Sequence, residues 1–152
     1  AVKSEIGTFL EVFPNGSVWA NTIEGRGYDL VLVGSVDPIR IDVDAVQRKL
    51  EQPEYAVLAQ SLGEIGMRSA VDLFATYAGN REELSGWLSD AQLNRDRNLR
   101  LQYLAGMGLN LYESDLIYQD MVRHAGYPEA LFTGSPETLA RLREAVWNNR
   151  RR

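Results

Sequence analysis

Residues 17–33 hold two extended runs around a glycine-bearing turn, Glu24-Gly25-Arg26-Gly27, and nothing downstream repeats that pattern. Alternating apolar residues on either side of such a turn predict a β-hairpin. Ser17–Ile23 alternates, with Val18 and Ala20 on one face and Trp19 and Ile23 on the other. Tyr28–Val33 is a nearly unbroken apolar run, the pattern of a strand covered on both faces. A lone two-stranded hairpin is marginal in water. This one is therefore expected to be covered by helices or to belong to a larger sheet.

The flanking sequence has helical spacing. Val2, Ile6, Phe9, Leu10 and Phe13 share one helical face, and Pro14 stops that helix by forcing its predecessor out of the α region. Beyond Asp37-Pro38, Asp42 is the expected N-cap of a helix to Leu50, with Val43, Val46 and Leu50 on its inner face. Pro53 starts the next helix, where Tyr55, Leu58, Ala59 and Leu62 repeat the spacing and Gly63 ends it. Ala70, Leu73, Phe74 and Tyr77 predict a third helix closing at Gly79, and Asn80 caps a short piece through Trp87. Ser89–Asn98 reads as a polar loop, and Leu99–Leu104 as an apolar segment of open type. Leu111–His124 reads as a helix broken by Gly126-Tyr127-Pro128. Ser135-Pro136-Glu137 starts the last helix, with Leu139, Leu142 and Val146 facing inward. The expected fold class is α+β: mostly helical, with one antiparallel hairpin near the N-terminus packed by several short helices.

Composition narrows the chemistry. With 152 residues, 45% of them hydrophobic, the chain is long enough for one domain with its own core. The net charge of −5 argues against nucleic acid as a partner. The charge is uneven: −7 over residues 1–90 and +2 over residues 91–152, where the tail Arg150-Arg151-Arg152 reads as a solvated helix end. There are no cysteines, so disulfides, thiol nucleophiles and thiolate metal sites are excluded. His124, the single histidine, rules out a His-rich zinc site and reads as a residue complementing a helix C-terminus. No metal ligands and no catalytic residues are assigned. No apolar run reaches the roughly 18 residues needed to span a bilayer. The chain opens at Ala1 and enters an amphipathic pattern at once, which reads as a piece cut from a longer protein.

Most acidic pairs have ordinary explanations. Asp42 and Asp44, two apart, point in different directions on a helix and read as a cap and a solvated neighbour. Glu82-Glu83 sits at a helix start, where acids are favoured. Gly106-Met107-Gly108 lacks the strand and helix context of a phosphate loop. Two features carry candidate binding residues. Trp19 is either packing or a stacking platform. Asn94-Arg95-Asp96-Arg97-Asn98 is either a hydrogen-bonded loop tying the helical part to the hairpin or an anion or polar-substrate contact through Arg95 or Arg97.

Several stretches in order resemble the C-terminal region of spermidine-synthase-like proteins, especially bacterial ones fused to membrane segments. They are Thr8-Phe9-Leu10-Glu11-Val12-Phe13-Pro14, Val18-Trp19, Leu30-Val31-Leu32-Val33-Gly34-Ser35, Asn94-Arg95-Asp96 with Leu101-Gln102-Tyr103-Leu104-Ala105, and Leu109-Asn110-Leu111-Tyr112 with Asp115 and Ile117-Tyr118. In the loop, Asn94, Asp96, Leu101 and Tyr103 match the family, whereas Arg95, Arg97, Leu99 and Gln102 depart from it. The resemblance implies a methyltransferase-like sheet closed by the helix and hairpin of residues 1–40, with 41–152 as a helical extension. It also implies a parent transferase acting on a polyamine with decarboxylated S-adenosylmethionine or S-adenosylmethionine as donor. The family's glycine-rich cofactor loop, its nucleoside-holding acid and its aspartate-bearing loop lie upstream of this hairpin and have no counterpart in residues 1–152. No cofactor is therefore expected in this piece, and Trp19, Asn94, Arg95, Asp96 and Tyr103 are the candidate substrate-binding residues. The expected partners are the parent catalytic domain and a second copy of the chain, with any membrane contact made through the parent on its cytoplasmic side. The expected function is an accessory domain without catalysis; the alternative is a helical module, residues 43–88, for protein binding or self-association.

Overall fold

A computed structural model describes residues 1–23, 26–108 and 113–151. In chain order its elements are α1 (Val2–Val12), β1 (Ser17–Ile23), β2 (Arg26–Val33), β3 (Ile41–Asp42), α2 (Val43–Leu50), a 3-10 turn at Pro53–Tyr55, and α3 (Ala56–Glu64). Then come α4 (Ala70–Phe74), β4 (Tyr77–Asn80), α5 (Arg100–Gly108), α6 (Ser114–Val122), β5 (Phe132–Thr133) and α7 (Pro136–Arg151). The fold is α+β and mostly helical, as the sequence predicts. The chain forms two compact units, each assembled from two separate stretches: 1–38 with 78–126, and 39–77 with 127–152.

The first unit is built on the hairpin. β1 and β2 pair antiparallel, Trp19 opposite Val31 and Val18 opposite Leu32, with an irregularity between Asn21 and Thr22. Strand order is β2-β1-β4, which leaves β2 at an edge among the described residues. The alternation in β1 sends Val18 and Ala20 into the core with Ile6, Leu10, Leu84, Trp87, Tyr118, Met121 and Val122, and Leu30 and Leu32 pack against that core. The expectation that β2 is covered on both faces is not met: Val31 is 47% and Val33 40% exposed. Helix α6 packs against β2 on one face, while Val31 and Val33 on the other stay partly in solvent. Trp87 is anchored by its indole N–H, which donates to Asp120 at 2.8 Å.

The second unit has a two-stranded parallel sheet, Ile41 opposite Phe132, beneath α2, α4 and α7. Its buried residues include Val43, Ala70, Tyr77, Phe132, Leu142 and Val146. Phe132 is ringed by Phe74, Tyr77 and Tyr127, with centroids 5.7, 6.1 and 6.0 Å away. Asp42 caps α2 as expected, accepting from the Ala45 N–H at 2.9 Å.

Several expectations need correction here. The helix through Tyr77 stops at Phe74, and Tyr77 opens β4, whose Ala-Gly-Asn run carries no strand propensity. Gly63 lies inside α3; the stop is a Schellman turn with Gly66 at φ +87°, the Met67 N–H bonding Leu62 O and the Gly66 N–H bonding Gly63 O. Helix α3 has no buried residue, so Leu58 and Tyr55 do not form an inner face. The segment of open type at Leu99–Leu104 is helical from Arg100, while Leu111 and Tyr112 lie outside the described residues. Asp44 is not a solvated neighbour, because it accepts from the Ser135 N–H and the Thr138 hydroxyl, each at 2.6 Å. Arg150 is not part of a solvated tail. It is 7% exposed, donates to Tyr77 O at 3.3 Å and stacks near Tyr77 and Trp147.

Candidate functional site

Three segments distant in sequence converge in the first unit on a cavity of about 290 Å³. Helix α1 contributes Val2, Glu5 and Ile6, β2 contributes Asp29, Leu30 and Leu32, and α6 contributes Ser114, Ile117 and Tyr118. The placement follows from local periodicity. Glu5 precedes the buried Ile6 by one residue and so falls beside, not on, the core face of α1. Asp29 is opposite Asn21, where the hairpin register becomes irregular, and its carboxylate accepts its neighbour Leu30's N–H at 2.8 Å. Most of the lining is apolar, and the carboxylates of Glu5 and Asp29 are exposed. Such a cavity suits a small ligand with an apolar body and a cationic end. The sequence pointed to Val2, Ile6, Leu30, Leu32, Ile117 and Tyr118 only as apolar positions or parts of the resemblance and not as one site, because three segments separated by 23 and 82 or more positions share no motif.

The loop singled out in the sequence is a cap built on α1. The Asn94 N–H donates to Thr8 Oγ1 at 2.8 Å, and Asn94 Oδ1 accepts from the Leu101 N–H at 2.9 Å. Asn98 Oδ1 accepts from the N–H groups of Arg95 and Arg100, at 2.8 and 3.2 Å. The first two amides of α5 are thereby satisfied, which is what Asn does at a helix start. Leu99 takes φ +43° inside this tight turn. Arg95 Nη2 donates to Glu11 Oε1 at 2.6 Å, Lys3 pairs with Asp90 at 2.8 Å, and Ser4 Oγ donates to Gln92 O. The bond to Lys3 holds the Asp90 carboxyl below its usual range. The loop is thus tied to α1.

The candidate residues divide among three places. Asn94 and Arg95 are engaged in the cap, and Asp96 is exposed beside them. Tyr103 is on α5 and 65% exposed. Trp19 lies on the hairpin face it shares with Val31, half-buried, its Nε1–H donating to Ser17 Oγ at 2.9 Å. Among the described residues no group of three or more His, Asp or Glu side chains is arranged to hold a metal ion. Among them, too, no helix is long and apolar enough to cross a membrane.

Comparison with models of protein families, with curated proteins and with solved structures finds no match to this chain.

Proposed function

We propose that this chain is a C-terminal accessory domain of a spermidine-synthase-like transferase, completing and buttressing the parent's catalytic sheet without turnover of its own. The observation that carries the reading is the hairpin edge. β2 is eight residues long and stands at the end of the sheet among the described residues, with its own Val31 and Val33 exposed. A long apolar edge is a template for another strand, and sheets that end there are normally shielded by charge, proline or a covering element. The segments that bear the resemblance also lie together in the first unit: α1, the hairpin, the cap loop and the start of α5. In this reading the donor, decarboxylated S-adenosylmethionine or S-adenosylmethionine, and the polyamine acceptor belong to the parent. Membrane contact, on the cytoplasmic side, belongs to the parent as well.

The direct test is calorimetric titration of the 152-residue chain with each donor and with spermidine. The expected result is no saturable heat. Micromolar binding of any of them overturns the reading, and loss of that binding in Glu5→Gln or Asp29→Asn would place it in the cavity between α1, β2 and α6. In the full-length parent, Val31→Asp is expected to lower both soluble yield and transferase activity, because it puts a charge on the face that the parent's sheet would cover.

A further inference from the structure

The cavity between α1, β2 and α6 has two ends of different character. Ile6 and Tyr118 in its lining are 1% and 4% exposed, and Leu30, Leu32 and Ile117 are partly buried against the same core. Glu5, Asp29 and Ser114 line it too, and all three are exposed. The floor is therefore apolar, and the mouth carries two carboxylates. No basic residue lines the cavity among the described residues. Lys3, two positions from Glu5 on the same helix, is already held by Asp90 at 2.8 Å, with its ammonium 5.2 Å from the centre of the Trp87 ring. The Glu5 carboxylate has no such partner among the described residues, whereas Glu11 on the same helix is taken by Arg95 at 2.6 Å.

We propose that this cavity binds a small primary amine with a single positive charge, its ammonium at the mouth and its apolar tail on the floor. This proposal does not depend on the accessory-domain reading. The volume of about 290 Å³ sets the size. At a water molecule's share of roughly 30 Å³, it holds a ligand of about ten non-hydrogen atoms. The ammonium stays partly in water and meets two carboxylates of opposite charge, while the tail brings no polar atom that the floor would have to satisfy. An anion of the same shape would meet like charge at the mouth. A polyamine such as spermidine would carry further charges along its chain into the floor, where no group neutralises them among the described lining residues, and burying an unpaired charge costs more than its methylenes gain. A nucleoside donor is too large for the space. One charge at one end is thus what the lining selects.

Phenethylamine fits that size, and phenethyl alcohol and phenylpropionate repeat its shape with no charge and with the opposite charge. Each is titrated into the isotope-labelled 152-residue chain while backbone amide chemical shifts are followed. Phenethylamine is expected to give saturable shifts on α1, β2 and α6 with a Kd of about 0.1–1 mM, the affinity open to so small a ligand. The alcohol is expected to bind about threefold or more weakly than the amine, and phenylpropionate more weakly still. Added salt should narrow the difference between amine and alcohol. In Glu5→Gln/Asp29→Asn both changes fall at exposed positions, and an amide oxygen at the second can still accept the Leu30 N–H. That variant is expected to keep the amide spectrum of a folded chain and to bind amine and alcohol within about twofold of each other. No saturable shift with phenethylamine up to about 10 mM, or shifts centred on other elements, overturns the site. An alcohol that binds as tightly as the amine, or a preference that survives in the double variant, overturns the recognition of charge. Spermidine saturating the same amides more tightly than phenethylamine overturns the selection for a single charge.

Discussion

Gly79 is the position where the backbone and the core of the first unit constrain each other most tightly. It takes φ +144°, a region that residues with a side chain rarely enter. A Cβ built there would meet Leu84 Cγ at 2.8 Å, Cδ2 at 2.9 Å and Cδ1 at 3.0 Å. Leu84 is fully buried among Ile6, Leu10, Val18 and Met121, so it has no room to retreat. Gly79→Ala therefore combines two penalties: about 1–3 kcal/mol for the backbone conformation and about 1–3 kcal/mol for overpacking. Leu84→Ala alone is expected to cost about 2–5 kcal/mol through lost burial and a cavity. In the double variant the steric part of the Gly79 penalty vanishes while the backbone part stays. Urea denaturation of the four proteins closes the cycle, and its coupling term is expected to favour the double variant by about 1–2 kcal/mol over the sum of the singles. Each kcal/mol should also move the melting temperature by roughly 2–4 °C in a chain of this length. Additivity within error would refute the argument, since it would mean that the Gly79 penalty owes nothing to Leu84.

Four further outcomes are expected. Asp44 is held below its ordinary pKa of 3.8, first by the hydrogen bond from the Thr138 hydroxyl and then by that from the Ser135 N–H. A lowered folded-state value means stability that is present above the unfolded value and lost as pH falls through the folded one. Below about pH 4 the parent chain should therefore lose stability more steeply than Asp44→Asn, each referenced to its own value at neutral pH; parallel acid-unfolding curves would refute this. Arg150→Ala should destabilise by about 1–3 kcal/mol, because it removes a buried stem, a bond to Tyr77 O and the ring contacts, whereas Arg151→Ala at the exposed neighbouring position should stay within about 0.5 kcal/mol. Asn94→Ala should cost about 1 kcal/mol by uncapping α5. Arg95→Ala, which breaks the exposed pair with Glu11, should cost less than about 1 kcal/mol and nothing measurable in high salt.

Much of the local structure was legible residue by residue. The end of α1 before Pro14, both hairpin strands, the Asp42 cap and the Ser135-Pro136 start of α7 all appear where the sequence signals them. These features depend on neighbours within about one turn or one strand pair, and their causes are steric or capping effects that any surroundings would preserve. The cap loop was legible as hydrogen-bonded, but its anchor was not: Thr8 and Glu11 are 86 and 84 residues away from the groups they bind.

What only the tertiary structure decided was which apolar stripes are used. The helical spacing of Leu58 and Leu62 resembles that of Leu142 and Val146, yet α7 buries its stripe and α3 leaves Leu58 half in water. Periodicity fixes which residues share a face, but only packing decides whether another element covers that face. The same holds for charge. Arg150 and Arg151 are neighbours of one type, and the turn of the helix places Arg150 over Tyr77 and leaves Arg151 in solvent. Tyr77 itself passes from an expected helix to a strand, because its burial beside Phe132 outweighs a propensity that differs by only a few tenths of a kcal/mol per residue.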